Sequence, residues 1–478
     1  MTVIRKIAYN TIFAAGARII AVALSLVNLG LIIRYLGKEG FGNYSLILAF
    51  LYIFNILADL GLYSLMTREI SRPGVDERKI ASNIFTIRIF VLLLFLGLAI
   101  VLIWFFPYTS QVKLGVVIGS VGYLFLSASQ VLMGIFQKYL RIDKAGLADI
   151  VGRLIQLGLV IIFVHFNLGF FSILTALIIS CIGNFILNWA FARKHISITL
   201  AFDFDLWKKL IKIAIPIAAS IVLTLIYFKF DTIFLSLGFI NRSSTNPIVD
   251  VGIYNVAYKI LEGLIFFPSM FVGLIMPLLS KFAFSSPDEF KKIFQKTLDV
   301  LIIFIIPLVI GLLILSLPLV VLIGGEQFKA SAPVLKLLSF AIGLIFLGNL
   351  FGHSIIALNK QKSGAWIYFS GMIFNIITNL IFIPRYSYLG AASTTVATEL
   401  LVTILMIYLI YKTINYFPRF NIVKPLIAGT LMVGFLYLFK GWNLFLLIGG
   451  GIIVYFVVLY LIKGVKKEEL SLLLKKET

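Results

Sequence analysis

Residues 297–323 read TLDVLIIFIIPLVIGLLILSLPLVVLI, with Asp299 as their only charge. A bilayer core about 30 Å thick is crossed by roughly 20 helical residues, so this stretch is long enough to span one. Working outward, runs of the same kind recur at 9–33, 42–66, 81–107, 112–137, 149–166, 170–192, 213–238 and 253–282. They continue at 333–357, 364–384, 388–411, 422–439 and 444–462. Only the turn at Asn167 to Gly169 separates the fifth span from the sixth. Strands of a membrane barrel are about ten residues long with alternating polarity, and nothing here alternates that way. The expected fold class is therefore all-α: a polytopic membrane protein of about fourteen helices.

Composition agrees. Of 478 residues 61% are hydrophobic, and the mean hydropathy is +1.08. A soluble domain is roughly 45–50% apolar, and its core could not absorb the excess. Lys and Arg outnumber Asp and Glu by 41 to 20. A nucleic-acid partner is not expected, because these cations sit in short loops between apolar runs, where membrane topology places them. With the N-terminus inside, the inner segments hold 28 Lys and Arg against 7 outside (Arg34, Lys38, Lys113, Arg242, Lys329, Arg385 and Lys440). Both termini are then cytoplasmic, and a cell (plasma) membrane is the expected location. Arg5 and Lys6 precede an apolar stretch from Tyr9 to Ile33, longer than the roughly 7–15 residues of a signal peptide's core. The single cysteine, Cys181, excludes an intrachain disulfide or a cysteine metal cluster.

The chain also resembles itself. Gly42-Asn43-Tyr44 opens the second span as Gly252-Ile253-Tyr254 opens the eighth. Leu168-Gly169 with Ser172 opens the sixth as Leu389-Gly390 with Ser393 opens the twelfth. Both copies of each motif face the same side, so the repeat is parallel, about an axis along the membrane normal. The expected organisation is a six-helix lobe at 1–200, a second at 201–415, an extra helix pair at 416–463 and a basic tail at 464–478.

Ionisable groups inside spans cost roughly 2.5–3.5 kcal/mol each at mid-helix, so they mark function. The cations are Arg18, Arg88, Arg153, Lys229, Lys259 and Lys336; the acids are Asp59, Asp231, Glu262 and Glu399. Several cations in hydrocarbon point to a wet cavity for an anion, with guanidinium suited to phosphate. Competing readings remain for most. Arg88 and Arg153 lie near the inner ends of their spans, where snorkelling is the alternative. Lys336 reads as interfacial. Arg18, ten residues into its span, is harder to place anywhere but the cavity. Lys229 and Asp231 are too close in sequence to share a helical face, whereas Lys259 and Glu262 sit at a spacing that pairs. The four acids are candidates for ion coupling or gate contacts.

Asn375 and Asn379 share one face of the eleventh span, as Asn184 and Asn188 share one of the sixth. Amides in such places either line a polar cavity or join helices. His353, beside Asn349, is a titratable group or a packing residue. Gly115 and Gly119 form a small-residue packing pair. Pro216, Pro268, Pro277, Pro307 and Pro318 are expected inside helices. There is no phosphate-binding glycine loop, HExxH motif or His/Cys metal cluster. No outer loop is long enough to carry a glycan polymerase site. A transporter without cofactor or metal, and without catalytic residues, is the expectation.

Three stretches carry a resemblance to a known family. They are Tyr35-Leu36-Gly37 with Glu39-Gly40-Phe41-Gly42-Asn43-Tyr44, then Asp59-Leu60-Gly61-Leu62 with Arg68-Glu69, then Gly325-Glu326-Gln327-Phe328 with Ala332-Pro333-Val334-Leu335. In order and spacing they resemble the polysaccharide-transport (oligosaccharide flippase) branch of the multidrug/oligosaccharidyl-lipid/polysaccharide exporter superfamily. The resemblance implies a flippase for polyprenyl-diphosphate-linked oligosaccharide (O-antigen, capsule or exopolysaccharide units), moved from the inner to the outer leaflet by alternating access of two six-helix lobes. It implies a cationic cavity, for which Arg18, Arg88, Arg153, Lys229 and Lys259 are candidates by position. Other glycan-assembly membrane proteins would be partners, and a monomer is expected because the cavity lies within one chain. Drug exporters of the superfamily usually carry an acid in the first helix, where this chain has Arg18. They remain the rival reading, with a membrane-embedded glycan polymerase the third.

Overall fold

The computed structural model describes the backbone of residues 3–464 and the side chains of residues 16, 17, 19–215 and 229–464. At Gly37 (φ 67°, ψ −173°) the long helix α1 (Val3–Asp59) breaks into two arms. Glycine takes this backbone at no steric cost. A second break follows at Leu60 and Gly61, with φ of 47° and 65°, before α2 (Leu62–Ile70). The expected span 42–66 is corrected on this point: it is interrupted at its inner end by two consecutive left-handed residues. Then come α3 (Glu77–Leu102), α4 (Ser110–Lys138), α5 (Ile142–His165), α6 (Phe170–Ala192) and α7 (Phe204–Ser236). Asn167 and Gly169, with φ of 50° and 84°, divide α5 from α6 where the sequence places that turn.

The remaining helices are α8 (Pro247–Ser285), α9 (Pro287–Gly324), α10 (Ser331–Ala357), α11 (Gln361–Ile414), α12 (Val423–Leu438) and α13 (Leu444–Leu461). Helix α11 is divided in turn at Ser387 (φ 47°), whose hydroxyl accepts a hydrogen bond from Asn241 Nδ2 at 3.0 Å. Side chains seldom adopt such a φ unless surrounding contacts hold it. Pro268 and Pro277 lie within α8, and Pro307 and Pro318 within α9; the side chain of Pro216 falls outside the described residues. Among the described residues, ten helices are long and apolar enough to cross a membrane, two of them being the divided α1 and α11. The all-helical membrane class stands.

The chain forms two compact units. The first comprises residues 1–239 with 244–252, the second 240–243 with 253–478. In the first, α4 packs on α1 through glycines: a methyl on Gly115 would come within 2.2 Å of Ile47 Cδ1, and one on Gly119 within 2.9 Å of Leu51 Cδ1. One end of this unit is closed by a strap, residues 193–203, whose backbone is held by α3. Ser82 Oγ accepts from Thr199 N at 3.1 Å, Thr86 Oγ1 from Ala201 N at 3.0 Å, and Asn83 Oδ1 from Asp203 N at 3.0 Å. These bonds replace the ladder that an extended segment otherwise lacks.

In the second unit α10 packs on α9 and α11. The C-terminal pair docks on α9 through Met432, Leu436, Leu447, Tyr455 and Leu459 against Ile303 and Leu315. Tyr455, with no exposed surface, donates to the carbonyl of Ile303 at 2.9 Å. The third resemblance motif forms the turn into α10: Gly325 has φ 79°, Phe328 is fully buried, and Ser331 Oγ donates to Ile253 O at 2.6 Å.

Candidate functional site: a cavity in the first unit

Tyr52, Asn55, Asp59 and Tyr63 recur at three- and four-residue intervals through the inner end of α1 and into α2. At helical spacing the first three fall on one face of α1, and the break at Leu60 and Gly61 brings Tyr63 of α2 to it. That face opens on a cavity of about 280 Å³, completed by Ile56 and by Gln130 and Met133 of α4. Behind the wall lies Arg88 of α3. Its Nη1 is 2.7 Å from Asp59 Oδ1 and donates to Ala58 O at 2.9 Å, while Nη2 donates to Gln130 Oε1 at 3.3 Å. The Arg88 side chain is 0% exposed and that of Asp59 is 23%. The charge of the acid at the cavity surface is thus compensated from within the protein.

Lys229, which is buried, places its ammonium 5.4 Å from the centre of the Tyr52 ring, a cation–π contact at the same wall. Below, Tyr63 OH donates to Gln137 Oε1 at 2.7 Å, and Thr67 Oγ1 joins the same acceptor at 3.2 Å. The buried Glu69 holds Arg68 and Arg72 at 2.7 and 2.8 Å, closing the inner end of α2. The Asp59-Leu60-Gly61-Leu62 and Arg68-Glu69 motif therefore builds one side of the cavity and its inner edge.

The other candidate residues are placed as follows. Arg88 does not snorkel: a carbonyl, a carboxylate and an amide hold its guanidinium, so it supports the cavity wall without reaching its surface. Arg153 donates to Ser25 Oγ and pairs with Asp149 at 3.2 Å. Arg18 lies in α1, but its side chain is outside the described residues. Lys259 pairs with Glu262 at 2.6 Å, as their spacing indicates. Asp231 and Glu399 are buried.

Asn375 and Asn379 are 1% and 0% exposed in this structure. Asn379 Nδ2 donates to Asn375 Oδ1 at 3.0 Å, and Asn375 Nδ2 to Thr398 Oγ1 at 3.3 Å, joining the two arms of α11. Asn188 bonds Asn184 in the same way, at 2.9 Å. Sequence reading missed Tyr52, Asn55, Tyr63 and Gln130. The signal was present in the spacing of the polar residues around Asp59, but charge drew attention and neutral polar groups did not. Among the described residues, no group of His, Cys, Asp and Glu is placed to hold a metal ion.

A helical membrane protein with a partly charged cavity belongs, as a class, with the carriers. Residues 7–283 match the family model described as polysaccharide biosynthesis protein, and the chain belongs to that family. Three relatives extend the comparison. The probable low-salt glycan biosynthesis flippase Agl15 of Haloferax volcanii is 22% identical over 94% of this chain and 95% of its own. The lipopolysaccharide biosynthesis protein WzxC of Escherichia coli is 22% identical over 87% and 81%. The capsular polysaccharide biosynthesis protein CapF of Staphylococcus aureus is 26% identical over 61% and 72%. Among solved structures, the lipid II flippase MurJ in an inward closed conformation has the same fold, with a TM-score of 0.78 at 16% identity, covering 94% of this chain and 97% of that one. An inward-facing multidrug resistance transporter of the MATE family follows at 0.67 and 13% identity, covering 85% and 98%.

Proposed function

We propose that this chain is a flippase that carries polyprenyl-diphosphate-linked oligosaccharide from the inner to the outer leaflet of the cell membrane. Family membership supports this reading, as do the flippase and surface-glycan names of the full-length relatives. The structural observation that carries it is Arg88, which is fully buried and holds Asp59 at the wall of the cavity while Lys229 stands over Tyr52 of the same wall. Cations kept at membrane depth are costly and mark substrate paths. A diphosphate group carries about two negative charges, and an inside-negative potential favours its outward movement by about 2.3 kcal/mol per charge per 100 mV. No nucleotide hydrolysis is required.

The movement is alternating access, with both termini on the cytoplasmic side and a single chain sufficient. Arg18, Lys229 and Lys259 bear on the diphosphate, and Arg88 acts by holding Asp59 in place. The sugar occupies the wet cavity while the polyprenyl tail remains in lipid. Ion coupling through Asp59, Asp231, Glu262 or Glu399 would add to the potential. Alanine variants of these acids whose transport keeps the pH and sodium dependence of wild type would remove that part.

Proteoliposomes carrying a fluorescent polyprenyl-diphosphate oligosaccharide test the reading. Protein-dependent transfer to the opposite leaflet, reduced by Lys229→Ala and by Arg18→Ala in folded protein, is the expected result. Export of cationic dyes with no transfer of any lipid-linked sugar would assign the chain to drug export instead.

A further inference from the structure

Residues 193–212 join the apolar runs at 170–192 and 213–238, so the strap and the first turns of α7 lie at a membrane surface. Phe204, Lys208 and Lys212 recur there every four residues and form one exposed row, with Lys209 beside it. The other face of the same turns carries Trp207 and Leu210 into the core of the first unit. Trp207 is fixed from within, its Nε1 donating to Asn83 Oδ1 at 2.9 Å. Outward, three phenylalanine rings pack around it, with centres at 5.4 Å for Phe204, 5.9 Å for Phe202 of the strap and 6.2 Å for Phe90 of α3. All three are more than half exposed. Aromatic rings at a membrane surface belong at the level of the headgroups and the first acyl carbons.

The lysines are a second and independent observation. Other cations around the strap have counter-ions within the protein: Lys79 lies 2.8 Å from Asp203, and Lys138 lies 2.7 Å from Glu77. The side chains of Lys208, Lys209 and Lys212 make no ion pair or hydrogen bond among the described residues. Three lysines against one nearby acid, Asp205, leave a net charge of +2 beside the rings. Basic side chains on a surface helix attract anionic lipid, and an apolar flank adds the burial of acyl chain. A zwitterionic lipid offers the same chains, but its own cation cancels most of the attraction.

We propose that the lysine row of α7 and the rings of Phe202 and Phe204 form a docking surface for an anionic phospholipid of the surrounding membrane. Its headgroup phosphate binds Lys208, Lys209 and Lys212, and its first acyl carbons lie on the rings around Trp207. The surface is built within the first unit and does not depend on what the cavity carries.

Native mass spectrometry of the full-length chain in detergent tests this, by comparing the first binding constants of phosphatidylglycerol and phosphatidylcholine. Wild type is expected to prefer phosphatidylglycerol. Replacing Lys208, Lys209 and Lys212 by Gln should cut the preference by roughly fivefold for each lysine removed. Because those side chains have no partner to lose, the melting temperature of this variant without lipid should stay that of wild type. Replacing the exposed Lys360, Lys362 and Lys412 of the second unit in the same way should leave the preference intact. Phe202→Ser with Phe204→Ser should weaken both lipids, and rising salt should weaken only phosphatidylglycerol. Equal binding of the two lipids by wild type would overturn the proposal. So would an equal loss in the Lys360, Lys362 and Lys412 variant, since total charge and not this surface would then be at work. One-for-one displacement of phosphatidylglycerol by undecaprenyl diphosphate, in wild type but not in the Lys208, Lys209 and Lys212 variant, would overturn it as well, assigning the surface to a carried lipid.

Discussion

The backbones of Gly42 and Gly252, the two glycines that open the repeated Gly-x-Tyr motif, lie against one another in the first unit. A methyl on Gly42 would reach 2.0 Å from the carbonyl oxygen of Ile248, and one on Gly252 would reach 2.3 Å from that of Lys38 and 3.3 Å from Gly42 N. The obstacles are main-chain atoms, which cannot rotate aside. Gly42→Ala and Gly252→Ala should therefore each destabilise the protein by at least the roughly 1–3 kcal/mol typical of overpacking. Gly115→Ala should cost less, because the flexible end of Ile47 is what yields there. Gly273→Ala, with nothing within 4 Å, should be neutral or stabilising by about 0.5–1 kcal/mol. Thermal melting in detergent would order the four.

The pair of Arg88 and Asp59 is asymmetric in exposure, and its variants should be too. Removing the carboxylate leaves a guanidinium with no exposed surface, so Asp59→Ala should cost about 3–5 kcal/mol. Arg88→Met leaves an acid that reaches the cavity and its water, and should cost less. The double variant should be more stable than Asp59→Ala alone. A double-mutant cycle of melting temperatures measures this, and equal single-variant losses would contradict the geometry.

Asn83 holds the strap and α7 together, accepting from Asp203 N at 3.0 Å and from Trp207 Nε1 at 2.9 Å through one oxygen. Asn83→Ala leaves both donors unpaired and should destabilise by about 1–3 kcal/mol. Hydrogen exchange at residues 199–207 should rise while exchange in α9 and α13 stays as in wild type.

At the same strap, Lys79 lies 2.8 Å from Asp203, and its hydrogen bond holds that carboxyl below the usual range; the backbone N–H of Leu206 adds to the effect. A depressed folded-state value means a contribution present above the unfolded value of about 3.9 and lost as pH falls through the folded one. Asp203→Asn should lower stability slightly at neutral pH, where the contribution is present, and should match wild type at low pH, so that the acid side of the profile below about pH 4 is flattened. The effect should shrink in high salt, because both groups are exposed.

Helix α13 is anchored on α9 by Tyr455 OH, which donates to Ile303 O, while the segment leading into α12 bonds Gln295 and Asp299 of α9 through Tyr416, Arg419 and Asn421. Tyr455→Phe should cost about 0.5–1.5 kcal/mol. It should raise hydrogen exchange in α12 and α13 more than in α10.

Much of this protein is local in the sequence. The hydropathy of 297–323 and its counterparts sets a helical membrane class, since lipid admits only backbones that satisfy their own hydrogen bonds. The turn at Asn167 to Gly169, the packing of Gly115 and Gly119, and the pairing of Lys259 with Glu262 follow from spacing along a helix. Those features depend on residues within a few positions of one another. What only the tertiary structure decided depends on residues far apart. Whether Arg88 snorkels or is enclosed turned on Asp59 and Gln130 on other helices. The partner of Asn375 is Thr398, across the break at Ser387. The cavity itself drew on α1, α2 and α4, which are brought together only by packing. A side chain's cost in a membrane can be read from its type, whereas its partner is set by packing.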